Sequence, residues 1–300
     1  MTSHQYLLVR TFYHTWIVDA NWWRTLLIWV ATMLLRYFLA TVLVICITGE
    51  ANSQTLSAVR RPFAAGEVLH YKVKWSFLRL GTVTIRQARA DSSRYLVQML
   101  VQSSPSLPFI DVRFLNQTYL TEVSQSLSEE TVSSSKDPTE KTVYRADRAN
   151  GIIRMVDSLK GKQIRIDSLE WGSDCFDALG LLMFSRRMAG CDSTISLPTL
   201  NDYRIAQTNV TYGNETEEIE VAAFDGPVRC RKVTGNAQWV GKSFAGMKGP
   251  FRGWFSDDEY SIPVRASVEI FLGSIVLELE SVDHPSKIVT SSSSAITCRQ

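Results

Sequence analysis

Val68-Leu69-His70-Tyr71-Lys72-Val73-Lys74-Trp75 decides the reading of the fold. Leu69, Tyr71, Val73 and Trp75 fall on one side of an extended chain, and His70, Lys72 and Lys74 on the other. Alternation with period two is the mark of a half-buried antiparallel strand. Gly81 separates this run from Thr82-Val83-Thr84-Ile85-Arg86, where Val83 and Ile85 alternate with polar residues. Tyr95, Val97, Met99 and Val101 repeat the pattern. Similar runs occur near 113–121, 141–146, 151–157, 163–168, 203–212, 216–224, 228–234, 264–271 and 274–282, rich in residues that suit a pleated surface.

One stretch reads as a helix, over about 174–188. Ser173 or Asp174 supplies a cap, and Arg186 and Arg187 in the last turn match the helix dipole. Phe176, Leu179, Leu182 and Met183 share a face, and Gly190 ends the helix. Ser103–Pro108, Ser133–Pro138 and Gly246–Pro250 read as loops. With no linker or internal repeat, residues 60–283 form a single β-rich domain. It is all-β and mainly antiparallel, a strongly curved sheet forming a β-roll or open barrel with one packed helix. The tail, 284–300, reads as disordered from its serine-rich composition.

Upstream, Met33 to Gln54 has the plan of a signal peptide. Arg36 supplies the n-region charge, Tyr37 to Thr48 the apolar core, and Ala51 and Ser53 the small residues before cleavage at Gln54. Met33 is then the true start, and residues 1–53 are an extension plus signal peptide. The alternative is an inner-membrane anchor through 25–48, which is long enough to span a bilayer. That reading buries Arg36 in the span, at roughly 2.5–3.5 kcal/mol. Either way the rest of the chain lies outside the cytoplasm, periplasmic or associated with the outer membrane.

The chain carries 32 basic and 30 acidic residues. Removing residues 1–53 takes away Arg10, Arg24 and Arg36, and Asp19 and Glu50, leaving 29 against 28. That balance gives no ground for a nucleic-acid partner. Beyond residue 53 the histidines are His70 and His284, too few for a histidine metal site. G-x-S-x-G and the nucleotide-binding glycine motifs are absent, so no cofactor and no metal are expected. Cys175, Cys191, Cys230 and Cys298 remain; in an oxidising compartment one bridge is expected among Cys175, Cys191 and Cys230.

Gly253-Trp254-Phe255-Ser256-Asp257-Asp258-Glu259-Tyr260 is the sharpest local constellation. It reads as a hairpin turn, since Asp and Ser bond nearby backbone amides. It also offers Asp257 and Asp258 as contacts for a ligand, or as a hydrolase's acid–base pair. Trp75, Trp239, Trp254 and Phe255 are the aromatic candidates for contact with a ligand or partner. Aromatics inside a curved sheet line either an apolar cavity or a filled core.

Phe63 to Trp75 with Gly81, Asp174 to Leu179 with Arg186 and Arg187, and Gly253 to Asp258 with Ile262-Pro263-Val264 resemble, in order, a bacterial envelope family known as domain of unknown function 3108. The resemblance covers roughly 60–282. It implies an exported β-roll and brings no catalytic residue. The resulting expectation is a non-enzymatic envelope protein that binds a lipid or an envelope protein on its curved sheet. In that reading the membrane is met only through the signal or anchor segment or peripherally. The alternatives are a purely structural protein with a filled core and a hydrolase using Asp257 or Asp258.

Overall fold

A computed structural model describes residues 60–107, 111–121, 131–134, 137, 139–147, 149–171, 175–201, 203–237, 249–270 and 273–284. The chain separates into two compact units, Met1–Thr55 and Leu56–Gln300, and every described residue belongs to the second. The signal or anchor segment and the tail beyond His284 lie outside the described residues. No described helix is long and apolar enough to cross a membrane.

Among the described residues, fourteen strands form one antiparallel sheet. They are β1 (Val68–Trp75), β2 (Leu78–Arg89), β3 (Arg94–Ser103), β4 (Arg113–Thr121), β5 (Thr131–Ser134), β6 (Glu140–Asp147) and β7 (Ile152–Leu159). Then follow β8 (Lys162–Glu170), β9 (Ser193–Asn201), β10 (Arg204–Ile219), β11 (Val228–Ala237), β12 (Gly249–Ser256), β13 (Pro263–Ile270) and β14 (Gly273–Asp283). The spatial order runs from β8 back to β1, then β14 back to β9. Apart from β8 and β9, consecutive strands are neighbours, and β1 pairs with β14 to join the chain's two arms. Among the described residues the sheet is not closed, so β8 and β9 are its edges. Between them in sequence lies the one described helix, α1 (Ala178–Met188). This is the curved, open-barrel architecture that the alternation predicted.

Because the sheet is a meander, odd-numbered strands all finish at one end and even-numbered strands at the other. The tight Trp75–Leu78 hairpin and the Ile270–Gly273 pair mark the first, here called the hairpin end. The second, the helix end, carries the link from β8 through α1 to β9.

The inward rows are those the sequence pattern placed inside. Leu69, Tyr71, Val83, Ile85, Tyr95 and Val97 pack with Leu120, Leu279 and the helix residues Leu179 and Met183. Lys72 and Lys74, on the opposite side of β1, pair with Glu278 at 3.3 and 2.6 Å. Phe176, Leu181, Met188, Leu197, Tyr212 and Phe255 form a second cluster under the other face of α1. Gly81 is required by close strand approach: a Cβ there would overlap the Gln102 carbonyl oxygen of β3.

Several expectations change, among them the loop reading of Gly249 and Pro250, which begin β12. The helix starts at Ala178, with Asp177 as its cap accepting from the Gly180 N–H at 2.6 Å. Cys175 and Phe176 are extended instead: the Phe176 N–H donates to Pro198 O and the Leu200 N–H to Phe176 O, covering part of the β9 edge. Ser133 and Ser134, read as loop, belong to β5, where β4 and β6 take up their backbone groups. The runs 203–212 and 216–224 are largely one strand, β10, whose register slips between Tyr212 and Thr216. β9 itself was not predicted. Its Pro198 is tolerated because β9 is an edge strand.

Candidate functional site

Two buried charge networks occupy the helix end. The first is centred on Glu67, whose side chain is fully buried just before β1. Gly66, at φ +94°, turns the chain so that the Glu67 N–H donates to Ala64 O at 3.0 Å. Arg186, in the last turn of α1, meets Glu67 with both ends of its guanidinium, Nη1 to Oε1 at 2.6 Å and Nη2 to Oε2 at 2.9 Å. Its Nε donates to Ser261 O at 3.2 Å and Nη2 to Tyr260 O at 3.0 Å. Gln87 Nε2 donates to Glu67 Oε1 and to Pro62 O. His284 Nε2 lies 3.5 Å from Glu67 Oε2, and its ring packs on Tyr260 with centroids 4.3 Å apart. His284, expected to begin the disordered tail, is thus buried in the domain.

The second network surrounds Asp257. Its carboxylate faces Arg231 at 2.8 Å, Arg229 at 3.1 Å and Arg60 at 3.7 Å. Arg60 also donates to the Asp258 carbonyl at 3.0 Å. Burial pulls the Arg60 guanidinium down to about 10, against the opposing pull of Asp257 and Asp258. Asp258 caps the turn: its Oδ1 accepts from the Tyr260 and Ser261 N–H groups at 2.9 and 2.8 Å. Those bonds hold Ser261 at φ +48°, a conformation that L-residues seldom adopt. The two networks share the 256–262 turn and clamp the entry to β1, the end of α1 and the end of β14 against it.

Of the site residues read from sequence, Phe255, Asp257 and Asp258 share this hairpin but not a common surface. Phe255 points into the second core cluster. Trp254 donates through Nε1 to Glu217 Oε2 at 2.7 Å; Lys232 and this bond together lower the Glu217 pKa. Trp75 stands at the hairpin end, the far end of β1. Trp239 lies outside the described residues. Among the described residues, no group of three or more His, Cys, Asp or Glu is placed to hold a metal ion. The sequence reading missed Arg60, Glu67, Arg229 and Arg231, gave Arg186 only a dipole role, and put His284 in the tail.

The bridge expected among Cys175, Cys191 and Cys230 is not formed. Cys175 and Cys230 are free and fully buried, in different core clusters. Cys191 is disulfide-bonded, and to neither of them. Burial pushes the Cys175 and Cys230 thiols up to about 12 from the ordinary 9.0. Alkylation at pH 8 under native conditions should therefore leave both unmodified, because the thiolate fraction is roughly a thousandfold below that of an exposed thiol. Peptide mapping after unfolding in the same reagent should find both modified; native modification of either would contradict their burial.

The family model for a protein of unknown function, DUF3108, matches residues 70–280. Among solved structures, the chain is similar to a β-barrel-like protein of domain of unknown function DUF1849 from Brucella abortus. The two share 12% identity with a TM-score of 0.52, over 76% of this chain and 100% of that one. A protein with YmcC-like fold from Bacteroides fragilis shares 14% identity over 75% of this chain and 99% of its own, with a TM-score of 0.32. No curated protein matches the sequence. The first of these structures shows the same fold as the strands described above, and the extent of the family match is decisive: the chain belongs to the DUF3108 family of proteins of unknown function.

Proposed function

We propose that this is an exported, non-enzymatic protein of the bacterial cell envelope whose curved sheet binds an apolar ligand of lipid type near its hairpin end. The observation that carries the reading is a loss of cover along two adjacent inward rows. On β1, Leu69 and Tyr71 are buried, whereas Val73 and Trp75 are half-buried. On β14, Leu279 is buried, whereas Leu277 and Ile275 are half-buried. These rows are in register, Tyr71 with Leu279, Val73 with Leu277 and Trp75 with Ile275. Val73 and Leu277 still pack on the main core, so the uncovered stretch continues the inner face. α1 and the two charge networks fill the opposite end. An apolar face with one end closed by protein suits a ligand that leaves only its polar tip in water. Export rests on the Met33–Gln54 signal plan.

Delipidated protein titrated with a fluorescent fatty acid such as cis-parinaric acid should bind it saturably. Val73→Trp, which fills the uncovered row, should weaken binding at least tenfold while leaving the melting temperature within a few degrees. No saturable binding by the unsubstituted protein would sink the ligand reading. The structural alternative has its own supporting observation, the helix and buried ion pairs that fill the helix end. It would then stand.

A further inference from the structure

The described residues include seven large apolar side chains that are exposed, and their placement is one-sided. Phe77, 95% exposed, is the tip of the β1–β2 hairpin. Ile270 ends β13 beside the β13–β14 turn, and Tyr203 is in the β9–β10 hairpin. Val112 immediately precedes β4, and Leu159 ends β7. Ile164 lies near the start of β8, and Ile166 follows at its middle. By the meander's alternation, the first six are at the hairpin end, and Ile166 is next to it along β8. None is at the helix end. Single exposed apolar residues are ordinary, but their gathering at one end of a molecule marks an interaction surface.

Charge at this end identifies the partner. Arg113, Lys162 and Arg204, the first residues of β4, β8 and β10, and Lys160 in the β7–β8 turn are all exposed there. The acids at this end are engaged: Glu269 meets Arg252 at 2.6 Å, and Asp137 accepts from the Thr139 N–H and hydroxyl and also faces Lys160. Exposed Asp111, beside Val112, and half-buried Glu140 have partners of their own. Apolar tips set among exposed cations match a membrane surface with anionic headgroups, where the tips enter the acyl boundary and the cations meet phosphate. A protein partner binding edge-on along β8 fits less well. β8 slips in register at Ile164, between Gln163 and Arg165, where it faces Ser158 and Asp157 of β7, and it carries exposed lysine, two devices that discourage strand pairing.

We propose that the hairpin end is a docking surface for an anionic phospholipid bilayer, with Phe77 and Ile270 entering the acyl boundary and the rim cations holding the headgroups. The proposal is independent of the ligand reading, because it uses the outer tips and not the inner rows. The test must report on residue 77 itself, since the apolar run at 25–48 could attach the full chain to vesicles by another route. Full-length Phe77→Trp and unsubstituted protein are mixed with phosphatidylglycerol–phosphatidylcholine vesicles, with and without spin-labelled lipid. The difference in fluorescence isolates the introduced indole. It should shift to the blue and be quenched by the spin label, and do so at least tenfold less in pure phosphatidylcholine. Lys160→Glu/Lys162→Glu in the Phe77→Trp background should weaken the response at least fivefold, with an unchanged circular dichroism spectrum. An unquenched indole would overturn the proposal. So would equal quenching in neutral vesicles, or a concentration-dependent dimer that shields residue 77 without lipid. Failure of fatty-acid binding with quenching intact would sink only the ligand reading.

Discussion

Arg186→Ala should destabilise the domain by about 3–5 kcal/mol, because it removes one partner of a buried charge pair. The side chains of Arg186 and Glu67 are 1% and 0% exposed, so water cannot replace the lost guanidinium. Alanine strands the Glu67 carboxylate with Gln87 and His284 as its described side-chain partners, and leaves the Tyr260 and Ser261 carbonyls without this donor. It also opens a space at the end of α1 where Arg186 is among the largest fully buried side chains. A domain of ordinary stability holds only about 5–15 kcal/mol, so this is a large share. Urea unfolding followed by circular dichroism measures it as a lower midpoint at unchanged slope. Glu67→Gln should cost less, about 1.5–3 kcal/mol, since the amide oxygen can still accept from Arg186. The double variant Glu67→Gln/Arg186→Met should fall well short of the sum, because neither charge is then left alone. A loss below 1 kcal/mol for Arg186→Ala would mean that the pair does not hold the helix end together.

This pair also shows where reading the sequence stops. The strands were legible because their signal is local: alternation at Leu69, Tyr71, Val73 and Trp75 fixes which side faces inward, and neighbouring strands in a meander are neighbours in sequence. The turn at Asp258 was legible for the same reason, as its carboxylate bonds amides two and three residues on. Glu67 and Arg186, by contrast, are 119 residues apart, and nothing in either local pattern names the other. Arg186 matched the helix dipole, and that local explanation concealed the long-range one. The helix start was misplaced because Phe176 fits the spacing of Leu179 and Met183. Only the pairing of Phe176 with β9 shows that it is extended. The three cysteines have a plausible compartment for a bridge, but whether sulfurs meet depends on packing, and Cys175 and Cys230 belong to separate clusters.

Asp257→Ala should be about as costly as Arg186→Ala, roughly 3–5 kcal/mol, and the cause is the cation it leaves behind. Arg60 is 1% exposed, and its Nε and Nη2 have no hydrogen-bond partner among the described residues. Its charge is balanced across 3.7 Å by Asp257 and otherwise rests on backbone carbonyls. Without Asp257, Arg60 and Arg231 face each other with no carboxylate between them, and the guanidinium that burial already disfavours loses its main compensation. Arg229→Ala is the control: that side chain is 43% exposed, so water screens it and the loss should stay within about 1 kcal/mol. Asp258→Asn should also be mild, because an amide oxygen can still accept from Tyr260 and Ser261. The contrast separates a clamp from a catalyst. A hydrolase using these two acids would lose activity with Asp258→Asn at full stability. The clamp reading expects Asp258→Asn to retain both fold and phenotype, and Asp257→Ala to lose phenotype only as folded protein disappears from the envelope. Measuring midpoint and cellular abundance together decides it: lost phenotype in a stable, abundant Asp258→Asn protein would return these residues to chemistry.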